Sequence, residues 1–124
     1  MKAENIIVYL WMCGFIGSAC IQLIFPEPFA SYSTWDYNSG WQSELAIWNI
    51  GIISVLVALI RVGVTLSPVL PGLAFMSFLF GMNHLVALVG NPGACSHWAG
   101  VIANFAITGI YLIWRMSSYV PQRK

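Results

Sequence analysis

His84, His97 and Glu44 are the side chains of this sequence best suited to moving a proton, and all three fall inside or at the edge of long apolar runs. A carboxylate close to an imidazole, both partly withdrawn from water, raises the basicity of the ring and lets it pass a proton to a bound ligand. Asn49, Asn83, Asn91 and Asn104 add hydrogen-bonding groups in the same runs. Polar side chains in apolar spans are costly, normally face the interior, and mark functional sites by default. The candidate ligand-binding set is therefore Glu44, Asn49, Asn83, His84, Asn91, His97 and Asn104, with no residue assigned as catalytic.

Depth and spacing test whether these groups can meet. At the rise of an α-helix, Asn49 lies ~10 Å below the outer end of its run, His84 ~9 Å and Asn104 ~10 Å. Glu44, Asn91, His97 and Gln22 lie nearer the outer surface. His97, Gly100, Asn104, Thr108, Tyr111 and Arg115 recur at three or four residues and form a polar stripe along one helix. Ser77, Gly81, His84 and Asn91 form another, with Asn83 beside it. Glu44 shares a face with Trp48 and Gly51, but Asn49 is turned ~140° away from it, so those two cannot both face one centre. A plainer reading stays open: Asn49, Asn104 and Thr108 join helices by hydrogen bonds, small residues such as Gly14, Gly17, Gly81 and Gly100 permit close approach, and Glu44 sits in the first turn of its helix, where negative charge is favoured.

Other chemistries find little support. Glu44, His84 and His97 offer three donors, but no HxxxH or ExxH spacing places two ligands on one helix, and no metal is assigned. The two histidines differ in depth by about two turns, which argues against a haem held between them. Serine-nucleophile, phosphate-loop and dinucleotide motifs are absent. The three cysteines have no CxxC spacing and are read as small packing residues, with a Cys20–Cys95 bridge open but unsupported.

The elements that must position these groups follow from composition. Of 124 residues, 59% are hydrophobic and 7% charged, against about a quarter charged in soluble domains. With a net charge of +1 and no basic cluster, nothing points to nucleic acid; the lipid bilayer is the expected surrounding. A helix needs about 20 apolar residues to cross it. Four such runs are present, about 5–25, 43–60, 69–90 and 97–116, in a single membrane domain spanning 1–124. The first is read as a retained span, being too long for the apolar core of a signal peptide. Pro26-Glu27-Pro28 stops it, residues 26–42 form the one long loop, and the links 61–68 and 91–96 are short, as between antiparallel neighbours in a bundle. Asn91-Pro92-Gly93 is a turn in which Asn tolerates a left-handed backbone, and Ser96 is placed to cap the last helix.

The fold class is thus all-α: a polytopic antiparallel four-helix membrane bundle. Lys2, Arg61, Arg115, Arg123 and Lys124 all fall on one side of an even number of spans, which predicts both termini in the cytoplasm. Trp35, Trp41, Tyr32 and Tyr37 read as an outer aromatic belt, Trp114 and Tyr119 as an inner one.

Phe80-Gly81-Met82-Asn83-His84, followed by Gly90-Asn91-Pro92-Gly93 and preceded by Glu44 opening a span, resembles the layout of small bacterial four-helix membrane proteins of the DoxX-like kind. The resemblance covers most of the chain in layout and rests on short motifs. It implies Glu44 as the polar residue opening the second span, Arg61 closing it, His84 in the third, an inner-membrane location, and a role linked to quinone oxidoreduction. Asn49 and Asn104 depart from that pattern. The function expected is an outward-facing polar pocket that binds a small or amphipathic ligand, a quinone or a lipid. The alternatives are an accessory subunit of a larger membrane complex and an oligomeric transporter; a homo-oligomer is an open option for partner.

Overall fold

The computed structural model describes residues 3–118. Lys2, Tyr119, Arg123 and Lys124, which carry part of the orientation and inner-belt readings, lie outside them. Five helices follow in order: α1 Ala3–Ile24, α2 Pro26–Ser31, α3 Ser39–Val62, α4 Leu70–Gly90 and α5 Cys95–Ser117. All but α2 are long and apolar enough to cross a membrane, so the chain is a multi-pass membrane protein. Large apolar side chains remain uncovered on every long helix, Val89 at 80% and Val62 at 77% exposure among them. Water would not tolerate that surface, and lipid tails do.

Helix ends explain where the spans differ from the apolar runs. The Asn38 side chain accepts from the Trp41 N–H at 3.0 Å, so α3 starts at Ser39, before the greasy stretch begins. Gly63, at φ 74°, ends it in the left-handed region that favours glycine. Part of the expected long loop is helical: Pro26 opens α2, a first-turn position that needs no amide hydrogen. Two expectations for the last link are corrected. Asn91 is extended, at φ −151°, and acts through its side chain, which accepts from Gly93 N–H at 3.1 Å. Ser96 does not cap α5, which begins from Ala94 without a side-chain cap; its hydroxyl is taken by a longer-range bond described below.

The helices associate as two pairs. α1 packs along α3 and α4 along α5, and the pairs meet through α1, which touches both α5 and α4. α3 therefore rests almost wholly on α1. The apolar core occupies the end nearest the start of α1, where Val8, Trp11, Leu56, Leu70 and Tyr111 are buried together. Trp11 donates its indole N–H to the buried Ser77 hydroxyl at 2.6 Å and stacks at a tilt on Tyr111, 6.4 Å between ring centres. These contacts tie α1 to both α4 and α5.

Cys13, Cys20 and Cys95 are free and exposed, which corrects the reading of them as packing residues. A thiol on the outer face of a membrane helix meets lipid, so the low polarity that favours burial elsewhere is satisfied without protein contact.

Candidate functional site: a histidine pair under a polar strap

At the opposite end of the chain from that core, the last turns of α4 and the first of α5 bring two imidazoles into contact. Nδ1 of His84 lies 3.0 Å from Nδ1 of His97. The sequence reading held them about two turns apart. Because α5 starts at Cys95 rather than at His97, the offset in depth shrinks to ~6 Å, which two side chains reaching from adjacent helices close. Their ring centres stand 5.3 Å apart. With the nitrogens in direct contact no space is left for a porphyrin between the rings.

The segment after α2 folds over this pair. Tyr32 carbonyl accepts from both the N–H and the hydroxyl of Ser96, at 3.2 and 2.7 Å. The start of any helix leaves N–H groups without partners, and here the strap supplies one. Tied down in that way, the strap aims three groups at His97 Nε2: Thr34 N–H at 3.0 Å, Thr34 hydroxyl at 2.9 Å and Ser33 hydroxyl at 3.1 Å. Ser33 Oγ in turn accepts from Trp35 N–H at 3.0 Å, which shapes the turn. The Trp35 indole closes over both imidazoles, 4.5 Å from His97 edge-on and 5.0 Å from His84. His97 is left 1% exposed. His84 is half-buried.

Gly100 is the seat of the site. A Cβ at that position would run into the His84 ring, so only glycine lets α5 come close enough for the two nitrogens to touch. Gly81 does the same one layer deeper, where the Phe105 ring fills the place of a side chain.

The other sequence candidates are placed elsewhere. Glu44 is exposed on α3, the helix that rests on α1, and the bonds of His84 run to His97 rather than to it. Among the described residues no three of His, Cys, Asp and Glu converge as metal ligands would. Asn49 donates to Ser18 Oγ at 3.0 Å and thereby joins α3 to α1. Asn104 donates to Gly100 carbonyl in its own helix at 2.8 Å, Asn83 is exposed, and Asn91 belongs to the turn. The long stripe on α5 is its packing face: Gly100 meets His84, Thr108 hydroxyl approaches Ala74 carbonyl at 3.4 Å, and Tyr111 is buried in the core. A depression of about 280 Å³ lined by Ser67, Pro68, Pro71, Tyr111, Trp114 and Arg115 lies at the far end, and none of the candidate residues lines it.

Since Asn49 acts as a joint between helices, Asn49→Ala is expected to lower stability by about 0.6–2 kcal/mol, read from unfolding in mixed detergent, and to leave the histidine resonances unchanged. What sequence reasoning missed is the strap. Ser33 and Thr34 read as ordinary loop residues and Trp35 as an interfacial anchor; the run Ser31-Tyr32-Ser33-Thr34-Trp35 is dense in hydrogen-bonding groups, but its partner is more than 60 residues away.

Fold and site together define a multi-pass helical membrane protein with a paired-histidine site at one end. Comparison of the chain with models of protein families, with curated proteins and with solved structures finds no match.

Proposed function

We propose that this chain is an inner-membrane protein of bacterial type, with antiparallel spans and both termini cytoplasmic, whose outer end binds a small or amphipathic ligand at the histidine pair. The observation that carries the reading is the coupling itself. A half-buried imidazole is held by a second, fully buried one, under a strap with five hydrogen bonds to α5, a degree of fixing that binding geometry needs. A quinone or a lipid entering from the bilayer would reach His84 first. The DoxX-like layout favours a quinone in a redox-linked assembly, and binding without catalysis accounts for the groups present. His84→Gln is the direct test: titration with a short-chain benzoquinone in lipid nanodiscs is expected to lose about tenfold or more in affinity, equivalent to about 1.4 kcal/mol. Unchanged affinity would remove His84 from the site.

The orientation has its own test. Arg61, between α3 and α4, and Arg115, at the end of α5, lie at the end of the chain opposite the histidines, and by the positive-inside rule this supports a cytoplasmic position for that end. Cys95 is exposed beside the strap. In a variant keeping only that cysteine, a membrane-impermeant maleimide is expected to label intact spheroplasts; labelling only after lysis would invert the topology.

A second reading, as an accessory subunit of a larger complex, draws on α3. Its outer face, with Ile47 at 67%, Trp48 at 63% and Val55 at 60% exposure, is apolar and offers a neighbouring helix as much room as it offers lipid. It predicts that His84→Gln changes assembly and leaves benzoquinone binding alone.

A further inference from the structure

Four ring nitrogens make up the pair, and the hydrogen bonds fix which of them carries a proton. Thr34 N–H donates to His97 Nε2, and a backbone amide can only donate. His97 Nε2 is therefore a lone pair, and the neutral ring carries its proton on Nδ1. That N–H faces His84 Nδ1 at 3.0 Å, which must accept it. The neutral His84 ring is then left with its proton on Nε2. This last nitrogen has no partner among the described residues, and it is not buried: the one buried polar side-chain atom without a partner among them is Gln22 Oε1. This N–H lies on the ring edge that packs against Gly100, and it keeps some exposure there.

We infer that the site selects a ligand bearing a hydrogen-bond acceptor oxygen, a carbonyl such as that of a quinone or a lipid ester, and refuses metal ions, with Thr34 N–H as the positioning group that sets this polarity through His97. The inference rests on the ligand-binding reading above and gives it a chemical class. A metal ion needs an imidazole lone pair facing it. In this chain both lone pairs are already filled by N–H donors, and the nitrogen left without a partner among the described residues is protonated. Shifting His97 to the other tautomer would set its Nε2–H against Thr34 N–H, two donors with no acceptor between them. The strap thus acts at a distance: its hydrogen bonds reach His97 and not His84, yet they determine what His84 displays.

The experiment is nitrogen NMR of the full chain labelled with ¹⁵N-histidine, in nanodiscs of ether-linked phosphatidylcholine, a lipid without ester carbonyls. His97 is expected to show a protonated Nδ1 and bare Nε2, and His84 the reverse. A protonated His97 Nε2 overturns the inference before any ligand is added. Adding a short-chain benzoquinone is expected to shift His84 Nε2 saturably; a shift already present in ester-linked lipid assigns the acceptor to the lipid instead, and either source supports the class. Zn²⁺ at the same concentration is expected to move none of the four resonances, and a saturable response at any of them overturns the refusal of metals. Assigned tautomers with no response to quinone or ester lipid overturn the ligand-binding reading, and with it the ligand class. Thr34→Val keeps the amide and loses the hydroxyl, and is expected to behave as the native chain. Thr34→Pro deletes the N–H, and is expected to populate both His97 tautomers and to admit Zn²⁺ about tenfold or more tightly. If the proline variant does not fold, the tautomers of the native chain and of Thr34→Val still decide.

Discussion

Gly100→Ala is expected to detach His84 from His97 and to weaken benzoquinone binding by about tenfold or more, or about 1.4 kcal/mol. The added methyl overlaps the Cγ, Cδ2 and Nε2 edge of the His84 ring. That ring is the far end of a side chain, so it swings away while the helices stay in place. His97 Nδ1–H is then left without its acceptor in a setting only 1% exposed. Leaving a buried donor unsatisfied costs about 1–3 kcal/mol, so the variant is expected to lose stability as well as affinity. Gly109→Ala is the control, since a Cβ there meets nothing within 4 Å; it is expected to change neither quantity. Loss of the paired-tautomer signature in Gly100→Ala, with helical content unchanged by circular dichroism, checks the displacement directly. A Gly100→Ala protein that keeps the native tautomers and native affinity would show that the ring has room to spare.

Trp11→Ala is expected to have the largest effect on stability, about 3 kcal/mol, the low end of what truncating a buried Trp or Phe costs in soluble cores. The low end applies because lipid tails are as apolar as the side chain removed, so the cavity and packing loss survives while the gain from leaving water does not. Trp11 is 3% exposed, packs on Tyr111 of α5 and bonds Ser77 of α4. It ties the α1–α3 pair to the α4–α5 pair, whose contacts run mostly through the same helix. Unfolding in mixed detergent measures the loss, and cross-linking between α1 and α4 is expected to fall with it. Trp11→Phe, which keeps most of the ring and drops the N–H donor, is expected to cost about 1 kcal/mol, the net worth of one hydrogen bond. Equal losses in the two variants would locate the stabilisation in the hydrogen bond rather than in the packing. The histidine tautomers are expected to persist in both, because strap and pair are held within the other end of the chain.

The four long apolar helices were legible in the sequence, each within a few residues of an apolar run. They depend on the length of apolar runs and on prolines and glycines that stop them, and both are local properties. The stripe of Ser77, Gly81 and His84 was legible too, since helical spacing alone puts those residues on one face, and that face is the one α4 turns to its neighbours. Local reading failed where contact depended on how helices are offset and which pairs associate. Glu44 and His84 looked like partners because each lies in the outer part of its span, yet α3 packs on α1 while α4 packs on α5. His84 and His97 looked too far apart in depth, and a shift of two residues in the start of α5, with a glycine at the crossing, brought them together. Thr34 carried no signal at all, because its role is that of a backbone N–H, which every residue except proline possesses. Sequence by itself determined that polar groups would collect near one end of a membrane-spanning chain. Only the tertiary structure decided that two imidazoles meet and that a strap from the first loop bonds one of them, since these are facts of register and close approach between segments far apart in the chain.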